Sequence, residues 1–516
     1  MEMLGRFSYY IIKRFTMKNR IIHTLGAVAL VAGMALTGTT AVMAGENNYT
    51  YVYDYWGDVQ ESPDVYSVAK VFTYNELGLD TNLKAAESMF VYGNQVYICD
   101  TGNNRIVVVE RSGTDDFQLV REITKIKGAD IAELNAPADV AVSDDGYIFI
   151  ADRGNARILK VDMDLNYVMQ FDTPVDSAIA SDYVFQPDKL VIDTAGRVYC
   201  SAKGINKGLV KYEADGTFSG FVGATRVAFN FTDYIWKKFA SQEQRAQMES
   251  FVPTEYDNVF IDKEGFIYAV VGGADEEALD NETVDAVRKL NMLGTDILVR
   301  NGEYPVYGDL YWSGAGGITG PSYFKDVTVL DNDVYICMDQ NRGRLFGYDD
   351  QGRMVFAFGG NGNMDGYFRK PVSMEHMGND LMVLDQTDCS ITLFVTTEYG
   401  DMIYRAMDQF DQGLYDEAEA SWNNVKTLNG NYELAYIGIG RSLMRKGQYK
   451  EAMEYFEAKY DEENYSRAYA QYRKAVIREN ILWVIVVLLV IILIPLVIGR
   501  YFRVKAEIER CEIFKL

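Results

Sequence analysis

Histidine is scarce in this 516-residue sequence, which contains only His23 and His376. Two histidines are too few for a zinc site built from several imidazoles. They also leave little choice for the histidine base that a serine or cysteine nucleophile requires. The five cysteines form no Cys-X-X-Cys pair, so the sequence indicates neither a zinc cage nor a dense disulfide framework. Histidine-dependent enzymes are therefore disfavoured.

Basic residues are also in deficit, with 50 Lys and Arg against 74 Asp and Glu. The resulting net charge of −24 repels phosphate backbones and argues against nucleic acid as a partner. A content of 48% hydrophobic and 24% charged residues is typical of globular proteins, and the length indicates more than one domain.

The N-terminal segment has the order of a secretory signal peptide. Basic residues at 13–20 precede the apolar run "IIHTLGAVALVAGMAL", and the small residues Val42 and Ala44 suit a cleavage site. We predict a signal peptide over residues 1–44, with an uncleaved anchor as the alternative.

A second apolar run, "ILWVIVVLLVIILIPLVIG", predicts a transmembrane helix over residues 481–499. It contains no charge and is long enough to cross a hydrocarbon core of about 30 Å. Basic residues flank both ends, so the orientation follows from the signal peptide. We expect a single-pass cell-membrane protein with residues 45–480 outside and a cytoplasmic tail at 500–516.

The stretch "YICDTGNNRIVVVE" at residues 97–110 recurs along the chain. Related stretches are "FIADRGNARILKV", "VYICMDQNRGRLFGY" and "LMVLDQTDCSITLF", and weaker copies begin at residues 198 and 266. In three copies an Arg follows the Asp by five residues: Asp100 and Arg105, Asp152 and Arg157, Asp339 and Arg344. Because the pair recurs, we interpret it as a structural clasp in which Asp caps the turn and Arg closes over it.

Each copy belongs to a unit of four short strands joined by hairpin turns such as "DDG" and "TAG". Six such units predict a mainly β fold, a six-bladed β-propeller over residues 45–400. The orphan β-type run at 50–55 is predicted to close the ring by pairing with blade 6. The alternative is a disordered leader.

The stretches "CDTGNNRIVVV" and "ADRGNARILKV" resemble the NHL repeat family. The resemblance covers the propeller region, most closely in blades 1, 2 and 5. It implies the propeller fold but leaves function open, since the family includes binding scaffolds and a few enzymes.

A polar ring is predicted at the mouth of the propeller channel. Counting back from the Asp anchors places one polar residue at the start of each innermost strand: Ser88, Asp139, Lys189, Asn258, Asp326 and Ser373. A pocket lined by such groups suits a ligand or an ion. The alternative is a channel whose polar groups are hydrated by water.

Two loops exceed the length that a blade needs. Residues 231–251 predict an amphipathic helix on the propeller rim, or packing filler. Residues 302–322 combine a glycine run with aromatic residues that suit sugar rings or a protein partner: Tyr304, Tyr307, Tyr311 and Trp312.

After Gly400 two units superpose with an offset of 34 residues, which aligns Gly413 with Gly447 and Trp422 with Phe456. This spacing is similar to that of tetratricopeptide repeats. We predict a helical stalk over residues 401–480, completed by a third helix, that either binds partners or acts as a spacer.

Together these patterns favour a non-catalytic, membrane-anchored extracytoplasmic scaffold that binds protein or glycan partners and requires no cofactor. The architecture resembles exported bacterial proteins associated with sugar transport, which implies a membrane transport complex as a partner. The alternative is a lactonase-like or esterase-like hydrolase with a Ca²⁺ ion held by Asp139, Asn258 and Asp326. A transmembrane sensor is less favoured, because the tail leaves no room for an output domain.

Overall fold

Antiparallel sheets dominate the computed structural model, which describes residues 50–176, 179–180, 182–224, 255–272, 285–311 and 318–513. The strands are rich in β-branched and aromatic residues, which pack well on a pleated surface. Many hairpin turns follow an Asp-X-X-Gly pattern. Asp193 and Asp262 each accept two backbone amide hydrogens of their turn, and Gly196 and Gly265 supply the positive φ that the turn requires.

The strands fall into three N-terminal strands and six blades. The N-terminal strands are β1 (Tyr51–Tyr53), β2 (Val59–Glu61) and β3 (Tyr66–Phe72). Blade 1 contains β4 (Ser88–Tyr92), β5 (Gln95–Asp100), β6 (Arg105–Arg111) and β7 (Phe117–Ile123). Blade 2 contains β8 (Pro137–Val142), β9 (Tyr147–Asp152), β10 (Arg157–Asp162) and β11 (Tyr167–Phe171).

The remaining blades follow in chain order. Blade 3 contains β12 (Pro187–Ile192), β13 (Val198–Ala202), β14 (Leu209–Tyr212) and β15 (Phe218–Val222), and blade 4 contains β16 (Asn258–Ile261), β17 (Ile267–Val270) and β18 (Val287–Leu290). Blade 5 contains β19 (Phe324–Val329), β20 (Tyr335–Asp339), β21 (Arg344–Tyr348) and β22 (Met354–Gly359), and blade 6 contains β23 (Pro371–Met377), β24 (Asp380–Asp385) and β25 (Ser390–Thr396).

The blades form a closed ring. The first strands contact one another in the order β4, β8, β12, β16, β19 and β23, and β23 returns to β4. Strand β3 pairs antiparallel with β25, so the N-terminal part of the chain supplies the outer strand of blade 6. The six-bladed propeller is therefore confirmed.

The predicted closing strand was wrong. Residues 50–55 contribute β1, which pairs with β22 of blade 5 and with β2, while Tyr66–Phe72 completes blade 6. The physical reason is a buried carboxylate at Asp309, whose Oδ1 accepts hydrogen bonds from the hydroxyls of Tyr51 (2.5 Å) and Tyr53 (3.0 Å). These bonds fix β1 on blade 5.

The Asp-Arg pairing of the predicted clasp is confirmed in blades 1 and 2, whereas the predicted capping of the turn by Asp is wrong in both. The Nε atom of Arg105 donates to Asp100 Oδ2 (2.6 Å), and that of Arg157 donates to Asp152 Oδ2 (2.9 Å). In both blades the other carboxylate oxygen accepts a hydrogen bond from a backbone amide of the preceding loop; in blade 1 the amide of Lys84 donates to Asp100 (2.7 Å). Neither Asp side chain accepts a hydrogen bond from a backbone amide of its turn.

In blade 5 the predicted clasp is wrong. Arg342 lies beside Asp339, with 3.4 Å between Arg342 Nη1 and Asp339 Oδ2. Arg344 instead donates a hydrogen bond to Asp309 (2.6 Å). Here Asp339 does accept amide hydrogens of the turn, from Asn341 and Arg342. Asp309 thus recruits the arginine that the repeat pattern assigned to Asp339.

Five helices follow blade 6 as antiparallel hairpins. They are α1 (Glu398–Asp411), α2 (Tyr415–Leu428), α3 (Glu433–Arg445), α4 (Tyr449–Ala458) and α5 (Glu462–Glu479). The glycines of α3 allow close packing, because a Cβ atom at Gly438 would overlap the Trp422 ring and one at Gly440 would overlap the Phe456 ring.

The helices share a hydrophobic core with blades 5 and 6. Tyr404 of α1 is fully buried and its hydroxyl lies 2.8 Å from that of Tyr66 in β3. Tyr432, which precedes α3, donates to the backbone carbonyl of Val355 in blade 5 (2.9 Å). Propeller and hairpins are therefore packed as one body.

The last helix, α6 (Ile481–Ile513), follows α5 directly and is longer than the predicted span of 481–499. Residues 481–510 are long and apolar enough to cross a membrane, and none of the most apolar window is buried in the protein. Exposed apolar side chains on all sides distinguish this helix from a core helix.

We expect Asp309→Asn to lower the free energy of unfolding by about 3 kcal/mol, because the buried Arg342 and the half-buried Arg344 lose their shared carboxylate. Urea unfolding of the detergent-solubilised chain measures this change. The exposed Asp164→Asn is the matched control, expected to stay within about 0.5 kcal/mol of the wild type. Equal stability of the two variants would show that β1 is held by other contacts.

Candidate functional site

The structure brings the six predicted ring residues together at the start of the innermost strands. All six are buried: Ser88, Asp139, Lys189, Asn258, Asp326 and Ser373. In blades 2, 3, 5 and 6 a register shift lies just before the ring residue, between the strand's first residue and the ring position. Such a bulge re-aims the side chain that follows it.

One half of the ring is held together by hydrogen bonds between blades. Ser88 Oγ of blade 1 donates to Asp139 Oδ1 of blade 2 (2.5 Å), and Asp139 Oδ2 accepts the backbone amide of Leu190 in blade 3 (2.7 Å). One carboxylate thus connects three consecutive blades.

The other half repeats this arrangement. Asn258 Nδ2 of blade 4 donates to Asp326 Oδ1 of blade 5, whose Oδ2 accepts the backbone amide of Met374 in blade 6 (2.6 Å). The ring continues across the closure, since the amide of Met89 in blade 1 donates to Ser373 Oγ (3.0 Å). These side chains bind the blades to one another, and their role as a ligand site stays a prediction.

Lys189 is a buried cation whose charge acts on the buried acids Asp139 and Asp326. Its Nζ donates to the carbonyl oxygen of Glu87 (2.9 Å). Burial raises the pKa of Asp326 to about 6 and also raises that of Asp139, although the charge of Lys189 opposes both shifts. The channel therefore contains carboxyl groups that titrate above their ordinary range.

Glu375 is a channel residue that the sequence reasoning missed. It lies two positions after Ser373 on β23, hence on the same face of the strand, and it is buried. Burial, followed by the charges of Asp326 and Asp139, raises the pKa of Glu375 well above its usual range. The alternation along "SMEHM" is the signal that could have identified it.

The mouth of the channel carries charged pairs that were also missed. Arg153 makes a bidentate ion pair with Glu87 of blade 1 (2.7 Å) and a second pair with Asp188 of blade 3 (2.7 Å). On the other side Lys325 Nζ lies 3.0 Å from Asp257 Oδ1. Glu87, Asp188, Asp257 and Lys325 each directly precede a ring residue, so the same count along the repeat reaches them.

The position of Arg153 has a structural role in other blades. In three other blades, the residue directly after the Asp anchor donates a hydrogen bond to a backbone carbonyl of the next blade. The bonds run from Thr101 Oγ1 to Pro137 (2.8 Å), from Gln340 Nε2 to Pro371 (2.9 Å) and from Gln386 Nε2 to Ala86 (3.0 Å). Blade 2 replaces this neutral contact with a guanidinium that joins two carboxylates.

The predicted aromatic loop packs largely inward. Tyr304 donates to the carbonyl of Tyr55 (2.6 Å), and Tyr307 packs against the core of blade 5. Tyr311 is exposed, while Trp312 and the predicted helix at 231–251 lie outside the described residues. Of the loop aromatics described, only Tyr311 presents a largely open ring to solvent.

The described part of the chain contains no cluster of three or more His, Cys, Asp or Glu side chains arranged to hold a metal. Each carboxylate oxygen of Asp139 and Asp326 already accepts a hydrogen bond from the neighbouring blades. His376 is half-buried with its Nδ1 2.7 Å from Thr328 Oγ1, and desolvation lowers its pKa. The arrangement is therefore a hydrogen-bonded polar ring with charged pairs at its mouth.

No protein-family model and no curated protein matches the chain. Among solved structures, an inactive virginiamycin B lyase from Staphylococcus aureus with quinupristin is 8% identical, with a TM-score of 0.37 over 66% of this chain and 85% of that one. A protein of unknown function from Bacteroides thetaiotaomicron is 9% identical (TM-score 0.39; 68% and 77%), and a putative gluconolactonase is 10% identical (TM-score 0.35; 65% and 93%). At these values no activity or ligand carries over to this chain.

Asp326→Asn is expected to change how stability depends on pH. The carboxyl has a pKa of about 6 in the folded chain against an ordinary value of 3.8, so the folded state binds the proton more tightly than the unfolded state. This contribution is present below about pH 4 and is lost as the pH rises through about 6, which removes about 3 kcal/mol from the wild type.

Urea unfolding of wild type and variant across this pH range measures the effect. The unfolding free energy of Asp326→Asn should fall less steeply than that of the wild type, whereas Asp164→Asn should keep the wild-type slope. Parallel slopes for wild type and Asp326→Asn would contradict the assignment.

Proposed function

We propose that the chain is a non-catalytic, membrane-anchored scaffold on the extracytoplasmic side, which engages protein or glycan partners through its propeller and helices. One observation carries the proposal: a continuous hydrophobic core joins blades 5 and 6 to the hairpins, and the hairpins lead directly into the exposed apolar helix α6. Such a body holds a binding surface in a fixed relation to a bilayer.

The connection has few places to bend. Helix α1 begins at Glu398, two residues after β25 ends at Thr396, and its N-cap Thr397 accepts the amide of Gly400 (3.1 Å). At the far end, Arg353 of the propeller faces Asp461, the N-cap of α5, at 3.6 Å. The propeller is therefore tied to both ends of the hairpin array.

The finer features of the proposal come from the sequence. The repeats are of the NHL type, the hairpins are tetratricopeptide-like, residues 1–44 are a signal peptide, and the basic tail lies in the cytoplasm. This orientation places the acidic body outside the cell membrane, where a membrane transport complex for sugars is the partner class that the resemblance implies. Nucleic acid is not a partner.

Capture from detergent-solubilised membranes tests the scaffold function. The tagged full chain, cross-linked in intact cells, should retain a defined membrane complex or glycan that untagged cells do not yield. Hydrolysis of lactones or esters by the purified chain, lost in Asp326→Asn, would instead identify an enzyme.

Membrane anchoring gives a further prediction. We expect Leu489→Arg with Ile491→Arg to release the chain from carbonate-washed membranes, because each arginine at a helix centre costs roughly 2.5–3.5 kcal/mol of insertion free energy. The control, Leu489→Ala with Ile491→Ala, should remain in the membrane fraction. Release of both variants, or of neither, would argue against α6 as the anchor.

A further inference from the structure

An aromatic patch lies where the β1–β2 hairpin meets the turn between α4 and α5; we define it as Tyr55, Trp56 and Tyr460. The ring centroids of Tyr55 and Tyr460 are 4.8 Å apart, and Trp56 lies 5.0 Å from Tyr55 and 6.1 Å from Tyr460. Trp56 and Tyr460 are each 56% exposed. Large aromatic rings are thus grouped together and remain open to solvent.

The backbone at Tyr460 is unusual for an aromatic residue. Helices α1, α3 and α4 all end in the same motif, in which the residue in left-handed conformation and its successor donate backward to two helix carbonyls. That residue is Gly413 in α1 and Gly447 in α3 but Tyr460 (φ 59°) in α4. A bulky side chain is unfavourable there, and this one is not compensated by full burial.

The rest of the patch is held in place. Asp54 Oδ1 accepts the backbone amides of Trp56 (2.9 Å) and Asp58 (3.0 Å), which fixes the tip of the hairpin. The Tyr304 hydroxyl donates a hydrogen bond to the backbone carbonyl of Tyr55 (2.6 Å), which holds the backbone of the patch in place. A pre-organised surface loses little conformational entropy when a partner binds.

Carboxylates dominate the charge around the patch, and Lys459, which directly precedes Tyr460, places its Nζ over the Tyr436 ring (4.7 Å). Residues 54–64 contain no Lys or Arg, and the exposed Asp58 lies 3.5 Å from the Tyr311 hydroxyl. On the other side the exposed Glu462 follows Tyr460 by two residues. Neither Asp58 nor Glu462 forms an ion pair with any residue that the structure describes. Aromatic faces beside such carboxylates suit a cation, above all a guanidinium that stacks and pairs at once.

We propose that the aromatic patch is the docking surface for an arginine- or lysine-bearing segment of a protein partner, whose cation stacks on Trp56 and Tyr460 and pairs with Asp58. The proposal rests on the scaffold function and names its surface. A neutral glycan could stack on the rings and donate hydroxyl hydrogens to the carboxylates, but it would not neutralise their charge, so the charge favours the cationic segment.

The test uses the detergent-solubilised full chain and three probes: a glycine-spaced arginine peptide, the same peptide with glutamate in place of arginine, and a chitin oligosaccharide. The arginine peptide should bind best and more weakly at higher salt. Trp56→Ala, Tyr460→Gly and Asp58→Asn should each weaken its binding about three- to fivefold. The exposed Tyr469→Ala of α5 is the matched control and should bind like the wild type.

Tyr460→Gly separates binding from folding. Glycine takes the left-handed conformation freely, so this variant should keep or raise the melting temperature while it loses affinity. Oligosaccharide binding that depends on the same residues, equal binding of both peptides, or no difference between variants and control would overturn the proposal. If the wild type and Trp56→Ala captured the same complex equally, the docking surface would be contradicted but the proposed scaffold function would not. If the wild type captured nothing, the scaffold function itself would be contradicted.

Discussion

The pairing of β3 with β25 is the constraint on which the other features of the structure depend. Without β3 the last blade would have only three strands, and the outer edge of β25 would be exposed to association with other chains. The N-terminal strand fills the outer place in the last blade and removes that edge. Closure also brings β23 against β4, which lets Ser373 accept the amide of Met89 and completes the ring of inter-blade bonds.

The same closure supplies the platform for the helices. Tyr66 of β3 is buried against Phe356 and Phe358 of blade 5, and its hydroxyl meets that of Tyr404 in α1. The strand that closes the propeller is therefore also the one that receives the first helix. The same hydrophobic core closes the propeller and packs the first helix. The orientation of the helical array therefore depends on the completed ring.

Repetition made much of this fold predictable. The recurring anchor position, occupied by Asp in four of the six blades, located the blades. Counting back from it reached the six ring residues, because about twelve or thirteen residues separate the ring position from the anchor in each blade. Local pattern also identified hairpin turns such as "DDG" and "TAG", and the 34-residue offset aligned Gly413 with Gly447. These features depend on residues close together in the chain.

The errors and omissions have a common cause in long-range contacts. Arg344 fits the repeat yet pairs with Asp309, a loop residue outside the pattern. The same carboxylate accepts a hydrogen bond from Tyr51 and so holds β1 on blade 5, although blade 6 was predicted. Arg153 and Glu375 are polar residues whose partners or electrostatic neighbours lie on other blades. The repeat gives the positions of Arg153 and Glu375 along the chain, but no spacing rule gives their partners, since that proximity exists only after the ring has closed.

Ring closure also determines when the propeller can be completed during synthesis. Tyr66 and Thr396 lie at opposite ends of the propeller segment, so β3 is made long before its partner β25 leaves the ribosome. Contacts between such distant parts of a chain form slowly, and unpaired strands favour association in the meantime. A nascent chain therefore carries an unpaired β3 until its last blade is present, and during that interval it depends most on protection by chaperones.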